Sequence, residues 1–192
     1  MPGFDGFTGE YRAEVDVRAS IILGPDPNGE RRAMPMRGSV LMREWPYPGY
    51  ERRTLPDGRV QLQLEMVESR ITGQLAGLGA DLTITETTAA RNFGTLTQVF
   101  PEQDFPAAFE LARKIVANTP LGQLHNDQAI VIRAVIDAIP PIGGPESFVG
   151  VNIFEAVNTP VPLLNEAGAV AAFFSGSRET MDNCRVRMVG LG

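Results

Sequence analysis

Few side chains in this sequence could move a proton near neutral pH. His125 is the only histidine among 192 residues, so any imidazole-based mechanism would have to start there. Asp127 follows two positions later and shares a face with it if the segment is extended, which makes His125 and Asp127 the candidate catalytic pair should the protein be an enzyme. Such a pair needs a nucleophile or a metal beside it. There is no Gly-x-Ser-x-Gly, no second histidine for zinc, and Cys184 is the sole cysteine. A histidine just after Pro120 and Gly122 more often satisfies backbone groups of the turn. Two carboxylates can do acid–base work without imidazole, but Glu65 with Glu68 and Glu14 with Asp16 read as solvated strand faces, with nothing to raise a pKa. Cys184, alternating with Val186 and Met188, reads as a small core residue. Asp26, Asn28 and Glu30 space oxygen atoms as a calcium loop does, yet the glycine falls too early and no bidentate acid closes the loop. A plain turn is expected there, and no cofactor or metal is expected anywhere.

Binding chemistry has one aromatic candidate. Trp45, Tyr47 and Tyr50 interleave with Pro46 and Pro48, offering flat faces to a sugar or a Pro-rich peptide; together with His125 they form the candidate ligand-binding set. The plainer assignment is a loop whose rings cap one end of the fold. Arg31-Arg32 and Arg52-Arg53 sit beside turns and read as solvated surface rather than as forks for a carboxylate or phosphate. With 23 acidic against 17 basic side chains and a pI near 4.9, nucleic acid is not an expected partner. No window approaches the roughly 20 apolar residues of a membrane helix, so no membrane span is expected. One cysteine allows no internal disulfide. The opening Met1 to Thr8 has neither a basic n-region nor an apolar h-region, and the cytoplasm is the expected compartment, secretion by another route being the alternative.

The elements that would position these residues are strands. Tyr11 to Leu23 alternates, with Tyr11, Ala13, Val15, Val17, Ala19 and Ile21 inward. Met34 to Trp45 follows a turn at Gly24 to Gly29. Leu55-Pro56-Asp57-Gly58-Arg59 is a strong type I turn signal, and its return strand sets Val60, Leu62, Leu64 and Met66 on one face. Ile71 to Leu78 reads as a bulged strand, Asp81 to Thr88 as a strand with Leu82 and Ile84 inward, and Thr95 to Phe100 as another. Over residues 103–117 two periods compete. Phe105, Ala108, Phe109, Ala112, Ile115 and Val116 fit a helix, while Phe109, Leu111, Arg113, Ile115 and Ala117 fit a strand with one charge inside. The strand is preferred. Residues 128–139 carry the longest β-branched run, apolar on both alternating sets, which predicts a central strand buried on both sides. Phe148 to Val157 gives a further strand, Ala169 to Phe174 and Cys184 to Val189 a last pair, and Ser175 to Asn183 between them is polar enough for an exposed loop or a short helix.

Phe109 to Asn118, the Thr119-Pro120-Leu121-Gly122-Gln123-Leu124-His125 segment, the strand after it and the closing Pro140-Pro141 together resemble an uncharacterised family of bacterial β-rich proteins. In that family a strand leads into Thr-Pro-x-Gly-x-Leu-His and then a long apolar strand ending in Pro-Pro. The resemblance covers about residues 109–141, implies a β reading and implies no activity. Its members often carry export signals; this chain shows none.

These readings converge on one all-β domain over residues 1–192, an antiparallel β-sandwich or closed β-barrel of about ten strands, with room for one short helix near Phe105 to Val116. The first functional expectation is a non-catalytic structural or interaction module that forms a homo-oligomer. The alternative is a small-ligand barrel, a binding protein or a cyclase-like enzyme, with an apolar cavity. A continuous interior void with His125 or Trp45 at its mouth would favour the alternative; a filled core with an apolar outer patch would favour the first.

Overall fold

A computed structural model of the chain describes residues 9–44, 52–76, 79–87, 90–141 and 152–188. Among them every regular element is a strand. In chain order they are β1 (Gly9–Leu23), β2 (Arg31–Glu44), β3 (Arg53–Thr54), β4 (Val60–Leu75), β5 (Ala80–Glu86), β6 (Asn92–Phe100), β7 (Gln103–Arg113), β8 (Ile115–Thr119), β9 (Gly122–His125), β10 (Ile130–Ile136), β11 (Ile153–Ala156), β12 (Val161–Leu164) and β13 (Val170–Met188). All thirteen belong to one sheet, and the first and last strands pair along almost their whole length, so the sheet closes on itself. Closure removes the free edges that an open sheet would expose.

The ring is not a regular barrel, because only part of its wall is continuous. β1, β2, β4 and β13 run the full height. Each remaining wall position is filled by two short strands end to end. β5 and β6 both pair with β4, one along each half of it. β8 and β7 continue them, then β9 and β10, then β12 and β11, which pair in turn with the two halves of β13. The breaks fall after Glu86, where β5 ends, and at 114, 126–129 and 157–160. They lie at one level and make a seam. Ten strands, β4, β5, β8, β9, β12, β13, β11, β10, β7 and β6, form a ring around it.

A broken ladder leaves backbone donors and acceptors that must find other partners. Three asparagine side chains supply them. Asn92 accepts from Lys114 N at 2.7 Å and donates to Lys114 O at 2.9 Å, copying a strand neighbour. Asn126 accepts from Ile115 N at 2.7 Å and donates to the carbonyls of Arg113 (3.0 Å) and Gln128 (2.9 Å). Asn158 accepts from Val131 N and donates to Ala129 O, both at 2.8 Å. A side-chain amide holds a donor and an acceptor in one plane, as a peptide group does. Asparagine therefore bridges a gap that no apolar residue could.

Alternation decides what lies inside. The six β1 residues expected inward, Tyr11 to Ile21, are all buried, as are Leu62, Leu64 and Met66 on β4 and Leu82 and Ile84 on β5. Each large one contributes on the order of 1.5–3 kcal/mol. On the inner face of the wall, over β10, the rings of Phe109 on β7 and Phe154 on β11 meet edge to face at 5.1 Å. At Gly38 on β2 a Cβ would lie 2.0 Å from the Arg70 carbonyl oxygen, so only glycine lets β2 and β4 approach as they do. The Leu55 turn forms as expected, with Leu55 N bonded to Arg59 O and Gly58 at φ 86°.

Residues 103–117 form strands, the reading preferred from sequence, and no helix: β7 and β8 are flanked by β6 and β10 on one half and β5 and β9 on the other, and this two-sided pairing outweighs the helical spacing. Several other expectations are corrected. Residues 128–139 do contain a strand, β10, but only one face is buried. Arg133 and Val135 point outward, and the β-branched outer residues reflect strand propensity rather than a second layer. The strand expected over Ile71 to Leu78 is not a separate one: Ile71 to Leu75 continues β4, and 77–78 lie outside the described residues. Ser175 to Asn183 is neither loop nor helix but the middle of β13. Register shifts against β1 at Ser20/Ile21 and Arg12/Glu14 displace the alternation twice, which hides the strand from a period-two reading. Glu65 is not a solvated face: its side chain is 5% exposed and takes Arg43 Nη2 at 2.6 Å.

Candidate functional site

The largest departure from an apolar interior sits at the level of the seam. Arg113 ends β7 pointing inward, between Leu111 and Ile115, and its side chain is 5% exposed. Glu86 ends β5 in the same way, two residues beyond inward Ile84. Glu179 comes from β13 across the interior and is also buried. A guanidinium removed from water needs charge and hydrogen-bond partners of its own. Arg113 finds them on one side: Nε and Nη2 donate to Glu86 Oε1 at 3.0 and 2.9 Å, and Nη2 donates to Ser69 Oγ at 2.8 Å. Ser69 in turn donates to the same Glu86 oxygen. On the other side Nη1 lies 3.8 Å from Glu179 Oε1, an ion pair without a direct hydrogen bond.

The acceptors are used unevenly. Glu86 Oε1 collects three donor contacts, while Glu86 Oε2 is buried with no hydrogen-bond partner among the described residues. Glu179 Oε1 accepts from Ser177 Oγ at 3.2 Å. Burial works against the charge on Arg113, but the Glu86 and Glu179 carboxylates outweigh it and hold the guanidinium above its ordinary pKa. Burial pushes the Glu179 carboxyl upward, with repulsion from Glu86 adding to it; attraction to Arg113 and the Ser177 hydrogen bond only partly offset this.

Space adjoins the cluster. A cavity of about 20 Å³, the size of one water, is lined by Arg113 and Glu179 together with Met36, Ile71 and Ile130. A second space of about 10 Å³ lies toward the end of the ring where β8 turns into β9, with Ile21, Met34, Leu75, Leu82, Pro120 and Leu121 around it. Both touch Ile84, Ile115 and Phe174, which form the partition between an apolar chamber and the charged level.

The residues singled out from sequence lie elsewhere. His125 follows buried Leu124 on β9, so alternation turns it to the outer face, where its side chain is 40% exposed; Nε2 is 3.8 Å from Asp127 Oδ1, itself open to solvent. Trp45, Tyr47 and Tyr50 fall outside the described residues. Cys184 is half-buried, with Sγ 3.2 Å from Pro141 O, and burial, with Asp182 nearby, pushes its thiol up to about 11. Tyr11, fully enclosed, is also raised by burial, with a smaller contribution from Cys184. No group of three or more metal-ligating side chains occurs among the described residues. Two of the three cluster members left a signal in the sequence. Arg113 was the one charge on an inward set, and the inward set Leu82 and Ile84 extends to Glu86; Glu179 was masked by the bulges of β13.

Comparisons with known proteins fit this architecture. No curated protein matches the sequence. A solved structure, that of DynF from the dynemicin biosynthesis pathway of Micromonospora chersina, superposes with a TM-score of 0.72 over 92% of this chain and 81% of DynF, at 18% identity, which establishes a shared fold. The model of a family of unknown function, DUF6004, matches residues 9–153, a span that holds β1 through β10 with both Glu86 and Arg113 on it, and the chain belongs to that family.

Proposed function

We propose that the protein binds a small, mostly apolar molecule inside its ring of strands, the molecule reaching the Arg113–Glu86–Glu179 level from the apolar chamber. The observation that carries this reading is the charged cluster itself. A well-packed apolar interior of the same volume is generally as stable as a buried ion cluster or more so, and a buried carboxylate oxygen without a partner carries a further penalty. An arrangement that costs stability and sits beside a cavity is a candidate site on physical grounds. The interior is not the continuous void with His125 at its mouth that the sequence-based criterion asked for. Entry therefore requires movement of Phe174, Ile84 and Ile115 or opening along the seam, where asparagine side chains replace the ladder. The fold shared with a protein of a biosynthesis pathway sits comfortably with a small-molecule role. Self-association, the first expectation from sequence, gains no support, and the chain ends at 1–8 and 189–192 lie outside the described residues.

Titration with the neutral fluorophore N-phenyl-1-naphthylamine tests the reading. Saturable enhancement with one dye per chain, in protein shown monomeric or oligomeric by light scattering, is the expected result. Absence of saturable binding at dye concentrations up to its solubility contradicts it.

Glu179 favours a second reading, proton transfer to or from the bound molecule. A carboxyl whose pKa is raised by burial, lining a cavity beside a cation, has the properties of a general acid.

A further inference from the structure

Resting on the interior-binding reading, we infer that the ligand presents a hydrogen-bond donor to the cluster, with a primary amine preferred over an alcohol and a carboxylate disfavoured. An arginine inside an apolar barrel would ordinarily argue for an acidic ligand. Here its fork is already occupied: Nε and Nη2 are bonded to Glu86 and Ser69, and Nη1 faces Glu179. What remains open is acceptor capacity. Glu86 Oε2 has no partner among the described residues, and Glu179 receives one hydroxyl and a guanidinium too distant to bond. Charge points the same way. Among the described residues Arg113 is the one buried cation at this level, already engaged by Glu86 and facing Glu179, so an incoming anion finds no free cation while an ammonium finds acceptor oxygens. An ammonium entering such a site gives up hydration but gains carboxylate partners, which an isolated buried charge would lack. The lining beyond Ile84, Ile115 and Phe174 is wholly apolar, and its space of about 10 Å³ must widen, by the same movement that entry requires, to take an alkyl or aryl body attached to that head.

The test is displacement of N-phenyl-1-naphthylamine by three molecules with the same chain, n-octylamine, n-octanol and n-octanoate, at pH 7.5. The expected order of half-displacing concentrations is octylamine lowest, then octanol, with octanoate at least tenfold above octylamine. Glu86→Gln should shrink the octylamine advantage over octanoate below threefold, and Glu179→Gln should reduce it in the same direction if the first variant does not fold. Octanoate displacing the dye as well as or better than octylamine from the unmodified protein overturns the inference while leaving interior binding intact. Dye that binds but resists all three molecules also overturns it. A protein that binds neither the dye nor any of the three refutes interior binding itself.

Discussion

Arg113 is the residue on which the interior depends. Its guanidinium neutralises Glu86 and shares Ser69, so Arg113→Met would strand a buried carboxylate that already has one oxygen without a partner. Removing one partner of a buried ion pair typically costs about 3–5 kcal/mol, and urea denaturation of R113M should show a loss of that size. Replacing the pair together, as Arg113→Met with Glu86→Leu, should recover most of it. Glu179 responds to pH instead. Its folded pKa lies above the unfolded value near 4.3, so above that pH the folded chain binds more proton than the unfolded chain, and this group's contribution to stability falls as pH rises toward the folded pKa. E179Q removes the titration. The urea midpoint of the unmodified protein should decline relative to E179Q from pH 4.5 upward, and parallel curves would contradict the assignment.

At the scale of elements, the seam sets this ring apart from a plain meander of strands. Asn126 ties β8, the end of β7 and the approach to β10 through three hydrogen bonds. N126A leaves a buried donor and two carbonyls without it, and a loss of about 3 kcal/mol is expected in the same denaturation assay. The seam also explains what could be read from sequence. β1 was legible because Tyr11 to Ile21 alternate without a break and a polar outer face marks the register. The Leu55 turn was legible because Pro56 and Gly58 constrain it locally. β13 was not, because two bulges change which residues face inward, so that Glu179 and Met181 are buried within a run that reads as polar loop. Asn92, Asn126 and Asn158 were not, because an asparagine bridging a broken strand and one in a turn look alike until their partners are known. The candidate site was half visible: Arg113 stood out as a charge on an apolar face, but its partners come from strands 27 and 66 residues away in sequence, and no local pattern links them.

For the whole molecule, closure by β1 and β13 makes an inside, and the seam places the one charged level of that inside against the only stretch of wall held by side chains rather than by a continuous ladder, among the described residues. Stability and access are thereby coupled: what weakens the wall at 114 and 126–129 is next to what a ligand would touch. Isoleucine δ1-methyl NMR reads this coupling directly, since Ile71, Ile84, Ile115, Ile130 and Ile132 line the inner cavity. On titration with N-phenyl-1-naphthylamine or n-octylamine, those five methyls should shift in a saturable way at one equivalent, with the outer-face valines Val135 and Val157 unmoved in a valine-labelled sample. Saturable binding that moves the outer valines and leaves these five isoleucines in place would contradict binding inside the ring.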